Sequence, residues 1–206
     1  MRNTLSIILT TLFLSACSTT EMMKDAYDNP GWHGYISTSK SEFDNRSMAS
    51  LEPALLSDWS SILRLGLRWN TDLGADSFLL IAEIEGAENF APKDTIDFNI
   101  DGKITSLKAS DPNQYGITSK RIVMSSGPFQ TPVELGMKTQ KTYRVSRETV
   151  ESIINAKKVI VRVSLLNSFL EQRIEPSSEN ISAYNQYPDI WAKGAFKKFL
   201  RITPIK

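Results

Sequence analysis

Ile62-Leu63-Arg64-Leu65-Gly66-Leu67-Arg68-Trp69 alternates between two kinds of residue without a break. Leu63, Leu65, Leu67 and Trp69 fall on one side and Arg64, Gly66 and Arg68 on the other, the period of two that a half-buried strand shows. Turn-rich residues 70–76 follow. Residues 78–85 then set Phe78, Leu80, Ala82 and Ile84 in an inner row, with Glu83 and Glu85 ending the outer one. Joined as a hairpin, the two runs bring Arg64 near Glu83 across the sheet. On a solvated face such a pair contributes roughly 0 to 1 kcal/mol and sets register more than stability.

The same alternation extends outward. Residues 95–101 place Ile96, Phe98 and Ile100 against Asp97, Asn99 and Asp101, and Asp101-Gly102 is the dipeptide a type I′ hairpin prefers. A two-residue turn sets Ile96 across from Leu107 and Phe98 across from Thr105 but leaves Ile104 on the polar side, so a bulge or a longer loop is the alternative. Upstream, residues 34–39 read as a first short strand, and residues 43–56 as irregular because Pro53 interrupts them. Downstream, strands are expected at 121–125, 133–137 and 141–145. Ser146 then starts a short helix as N-cap, with Glu148 in its first turn and Val150, Ile153 and Ile154 at helical spacing as far as Ala156. Residues 159–166, the most β-prone run, read as a central strand continuing towards Ile174. Residues 177–187 read as a polar loop, and Asp189 as the cap of a last helix over 190–202, stopped by Thr203-Pro204. Many short strands and few helices make the class mainly β: an antiparallel sandwich or barrel-like domain with one short helix and a C-terminal amphipathic helix.

Five stretches offer candidate chemistry. Residues 97–102, Asp97-Phe98-Asn99-Ile100-Asp101-Gly102, open like a calcium loop. The acid that must follow six residues after the glycine is Lys108, a cation, so the hairpin reading is preferred and no metal ligand is assigned. His33 is the only histidine, so any Ser-His-Asp arrangement must use it. In Gly31-Trp32-His33-Gly34, with no G-x-S-x-G elsewhere and no cysteine partner, it reads as exposed or aromatic-stacked. Ser37-Thr38-Ser39-Lys40 fits S-x-x-K without its companion motifs, and Glu83 and Glu85 read as a solvated pair. No catalytic residue and no cofactor is assigned. The last helix carries more: Lys193, Lys197 and Arg201 recur every four residues with Lys198 beside them, while Trp191, Ala195, Phe199 and Ile202 form an apolar stripe. Docking of the stripe on the sheet leaves a basic face for lipid phosphates or a protein partner.

The N-terminal residues set an address. Arg2 precedes an apolar run, Leu5 to Leu14, about half the roughly twenty residues a spanning helix needs, and small residues follow in the order of a secretory signal. Leu14-Ser15-Ala16-Cys17 resembles the lipobox of bacterial lipoprotein precursors. The resemblance implies a diacylglycerol on the Cys17 thiol, cleavage before it and acylation of the new amine. A thiol is the soft nucleophile that such a modification needs, and Cys17 is the only cysteine in the chain. Ser18 after the cysteine resembles lipoproteins sorted to the outer membrane of a Gram-negative cell, facing the periplasm. The expected organisation is then a signal peptide over 1–16, a lipidated tether over 17–30 and one β-rich domain over 31–206.

Loss of residues 1–16 removes one of the 24 basic residues and leaves the rest balanced against 23 acidic ones. That balance argues against nucleic acid as a partner. With a single cysteine no internal disulfide forms, so stability rests on packing. Three function classes follow. The first is a non-catalytic envelope module that binds or scaffolds a protein partner. The others are a carrier of an acyl chain between its sheets and a hydrolase with an unrecognised site.

Overall fold

The computed structural model describes residues 30–86, 89–91, 95–111, 116–126 and 129–204, with the backbone alone for 116–126 and 129–136. In chain order the strands are β1 (Ile36–Lys40), β2 (Ser47–Ala54), β3 (Leu63–Asn70), β4 (Ser77–Glu85), β5 (Thr95–Ile100), β6 (Lys103–Lys108), β7 (Gly116–Ser126), β8 (Phe129–Ser146), β9 (Val159–Ser164) and β10 (Phe169–Arg173). Helix α1 (Arg147–Asn155) lies between β8 and β9, and α2 (Ile181–Gln186) and α3 (Ala192–Ile202) close the chain.

The strands form two antiparallel sheets, one ordered β1-β2-β3-β4-β8-β7 and the other β10-β9-β5-β6. Both sheets keep open edges, so the architecture is a sandwich and not a closed barrel. One core joins them: Leu65, Leu67, Phe78 and Leu80 of the larger sheet pack in the same cluster as Ile96, Phe98, Val161 and Val163 of the smaller. The larger sheet is wider, and α1 and α3 pack together, α3 against β2 and β3. The Phe199 ring meets Phe78 edge-on at 5.9 Å.

The β3–β4 hairpin keeps the register its alternation implies, with Leu65 opposite Ala82 and Arg64 opposite Glu83. The β5–β6 turn is the two-residue one: Asp101 and Gly102 both have positive φ, 48° and 94°, and Ile96 faces Leu107. Ile104 is consequently turned outward and 70% exposed. Ser146 caps α1 by accepting from the Thr149 N–H at 3.1 Å, and Ala156 ends it. Strand β9 is central in its sheet.

Other expectations are corrected. The segment read as irregular contains β2, because a register shift between Leu51 and Ala54 accommodates Pro53 as a bulge. This bulge lies against Gly66, where any Cβ would stand 2.5 Å from the Leu51 carbonyl oxygen. The two strands expected over 133–145 are one, β8. The run from Val159 breaks into the β9–β10 hairpin, closed by Leu165 N–H donating to the Ser168 carbonyl. The polar loop over 177–187 holds a 3-10 turn and α2. Asp189 caps nothing: it belongs to a 3-10 turn, Pro188–Ile190, and α3 starts after Trp191.

The outer row of β3 and β4 is not solvated at Arg64 and Glu83, which are 7% and 3% exposed. Glu83 accepts from Lys138 Nζ and Gln140 Nε2, both at 2.8 Å, and from Arg64 at 3.5 Å, while Arg64 also pairs with Glu85. Burial opposes ionisation of Glu83, but the Lys138 and Gln140 hydrogen bonds and the Lys138 and Arg64 charges outweigh it, holding the carboxyl below its usual range. Lys141, also buried, sits in the inner row opposite Ala82, its Nζ 3.5 Å from the Ala91 carbonyl oxygen.

Candidate functional site

Helix α3 is the element on which the candidate residues meet. Ala192, Ala195, Phe196 and Phe199 are its buried face, so the apolar stripe runs through Phe196 and ends before Ile202, which is 47% exposed. The helix start is tied to β2 by two backbone hydrogen bonds, Leu55 N–H to the Ile190 carbonyl and Ala192 N–H to the Leu55 carbonyl. Gly194 is required where α3 crosses the preceding turn, because a Cβ there would stand 2.0 Å from the Pro188 carbonyl oxygen.

The four cations have three different surroundings. Lys193 is drawn inward, its side chain 11% exposed. Its Nζ donates to the Ala156 carbonyl at 2.7 Å, at the C-terminal end of α1, and to Glu175 at 3.1 Å. It therefore fastens α3 to α1 and leaves the basic face it was expected to join. Lys198 pairs with Asp189 at 2.8 Å, both half exposed. Lys197 and Arg201 are exposed, and among the described residues neither has an acidic partner. They lie one helical turn apart and form one outward row.

Two clefts flank the Asp189–Lys198 pair. One, of about 450 Å³, is lined by Asn155, Tyr184, Lys193, Lys197 and Arg201 besides that pair. The other, of about 360 Å³, is lined by His33, Gly34, Tyr35 and Tyr187. Gly34 is packed against the same turn, with a hypothetical Cβ 2.0 Å from the Asp189 carbonyl oxygen. The start of the described chain thus lies beside α3. Tyr184 and Tyr187 were not singled out from sequence, because residues 177–187 read as loop and carry no periodic signal; nor were Tyr35 and Asn155, which lie in an expected strand and helix without a chemical motif.

His33 is partly buried, not exposed. Its Nδ1 lies 3.2 Å from the Pro53 carbonyl and must donate, since that oxygen only accepts. Its ring lies 5.8 Å from that of Trp32. Burial, reinforced by the nearby positive charge of Arg64, pushes its pKa down to about 4. Ser37 and Lys40 lie in β1, three residues apart and so on opposite faces of the strand. The acidic residues of the calcium-like stretch have other partners: Ser106 Oγ donates to Asp97 at 2.6 Å, and Asp101 accepts from the backbone N–H groups of Lys157 and Lys158. Among the described residues no three His, Cys, Asp or Glu side chains converge as metal ligands, and no helix is long and apolar enough to cross a membrane. Cys17 lies outside the described residues.

Lys197 and Arg201 on α3 thus present exposed cationic N–H donors, the groups that form charge-assisted hydrogen bonds to anions. Comparison with protein-family models, with curated proteins and with solved structures finds no match to this chain.

Proposed function

We propose that this chain is a lipid-anchored protein of a bacterial envelope, whose sandwich binds or scaffolds another envelope component without catalysing a reaction. The observation that carries the reading is Leu14-Ser15-Ala16-Cys17, with the only thiol of the chain at the position a lipobox requires. Three acyl chains there hold a protein at a bilayer far more firmly than the marginal attachment of one. Ser18 favours the outer membrane, facing the periplasm.

The non-catalytic part rests on His33, the only histidine of the chain, which among the described residues is hydrogen-bonded to no serine or carboxylate, its Nδ1 facing the Pro53 carbonyl. Filling of the space between the sheets by Leu65, Phe78, Phe98, Tyr143 and Val161 leaves little support for an acyl carrier. Cys17→Ser is expected to move the protein from the membrane to the soluble fraction with its signal uncut. Cleavage and fractionation unchanged from the wild type would overturn the reading. Crosslinking in intact envelopes then identifies the component bound.

A further inference from the structure

The outward face of α3 has a specific neighbour if the chain is anchored at Cys17. We propose that Lys197, Lys198 and Arg201 dock on the anionic phospholipid headgroups of the bilayer that holds the anchor, fixing the sandwich in one orientation on the membrane. The inference rests on the lipid attachment proposed above and names the membrane itself as the partner of this face.

Three observations carry it. The opposite face of α3 is committed to the core through Ala192, Ala195, Phe196 and Phe199, so the helix cannot turn its cations away without unpacking. Lys197 and Arg201 are exposed without an acidic partner among the described residues, and the partner of Lys198, Asp189, is itself half exposed. Glu175 pairs with Lys193 and not with the outward row. The third observation is position. His33, Gly34 and Tyr35 share a cleft with Asp189 and Lys198, so the described chain begins beside the start of α3. The stretch between Cys17 and Pro30 reaches at most about 45 Å when fully extended, which keeps this side of the sandwich within range of the headgroups. Each cation near an anionic surface is worth about fivefold in binding, and the net two of this face, Asp189 offsetting Lys198, about twenty-five-fold. That is weak for a free domain and ample to orient one already tethered.

The test uses the full lipidated protein reconstituted in phosphatidylcholine vesicles with or without phosphatidylglycerol. A fluorophore is placed at Asn155→Cys, which lines the cleft with Lys197 and Arg201, or at Ile104→Cys on the outer face of β6, and a quencher is attached to the headgroups. With phosphatidylglycerol present, the position 155 probe is expected to be quenched severalfold more than the position 104 probe. The difference should vanish in pure phosphatidylcholine, in high salt, and in the Lys197→Glu, Arg201→Glu variant, whose changes are exposed and leave the circular dichroism spectrum unaltered. Flotation with the vesicles reports the anchor separately. Flotation with equal quenching at both positions, or with quenching indifferent to lipid charge, sinks the docking and leaves the anchor standing. Failure to float removes the anchor, and the docking with it.

Discussion

His33 is buried between opposing charges, Arg64 and Lys138 on one side of the balance and Glu83 on the other, with burial the largest influence on its proton. Its pKa falls from 6.5 to about 4, so the unfolded chain binds the proton more readily than the folded one between those values. Stability is then fully present above pH 6.5 and is lost as pH falls towards 4, by at most about 3 kcal/mol. Urea midpoints measured across this range should decline for the wild type and stay nearly level for His33→Gln. An equal decline in both proteins would show that His33 does not carry the effect. Glu83 acts lower. Its folded pKa is depressed below 4.5, so its contribution is present above that value and is lost as pH falls through the lower folded one. The residual acid sensitivity of His33→Gln belongs to Glu83 together with Asp44 and Asp101, whose carboxyls are likewise held low by hydrogen bonds.

At the scale of elements, α3 is held by one close approach and one capping lysine. Gly194 lets the helix cross the Pro188–Ile190 turn, and a methyl group at that position would stand 2.0 Å from a backbone oxygen and 2.6 Å from its carbonyl carbon. Backbone cannot yield as a flexible side chain does. Gly194→Ala should therefore cost about 3 kcal/mol or more in chemical unfolding, although alanine is the better helix former by about 1 kcal/mol. A neutral or stabilising result would mean that α3 sits further from the turn than these distances state. The same approach explains why α3 begins after Trp191 and not at Ile190: residues 188–190 form a 3-10 turn whose backbone pairs with Leu55 and Trp191.

At the scale of the molecule, one core cluster takes side chains from both sheets and from α1 and α3. A smaller cluster of Leu55, Ile190 and Trp191 lies at the start of α3. Far-ultraviolet circular dichroism, which follows the strands, and tryptophan fluorescence, which follows Trp69 in the main core and Trp32, Trp59 and Trp191 at or beside the smaller cluster, should give one coincident unfolding transition. Separated midpoints would instead assign the α3 end to an independent unit. Cooperativity of this kind makes α3 a rigid part of the surface, so its outward cations keep a fixed orientation relative to the point where the chain enters at Trp32.

Alternation at Leu63 to Trp69, the Asp101-Gly102 turn and the Ser146 cap were determined by the sequence itself, because each depends on residues within a few positions of one another. So was the placing of basic and apolar residues on opposite sides of α3. Tertiary structure alone decided that β4 pairs with β8 and β5 with β9, since strand order depends on contacts between distant segments. It also decided the fate of polar residues whose alternation had marked them as solvated. Arg64 and Glu83 lost water because Lys138 and Gln140 arrive on β8, which no local pattern announces. Lys193 left the basic face because Glu175 and the end of α1 happened to lie within reach. A side chain's face is local, whereas its desolvation depends on whatever the rest of the chain packs over it.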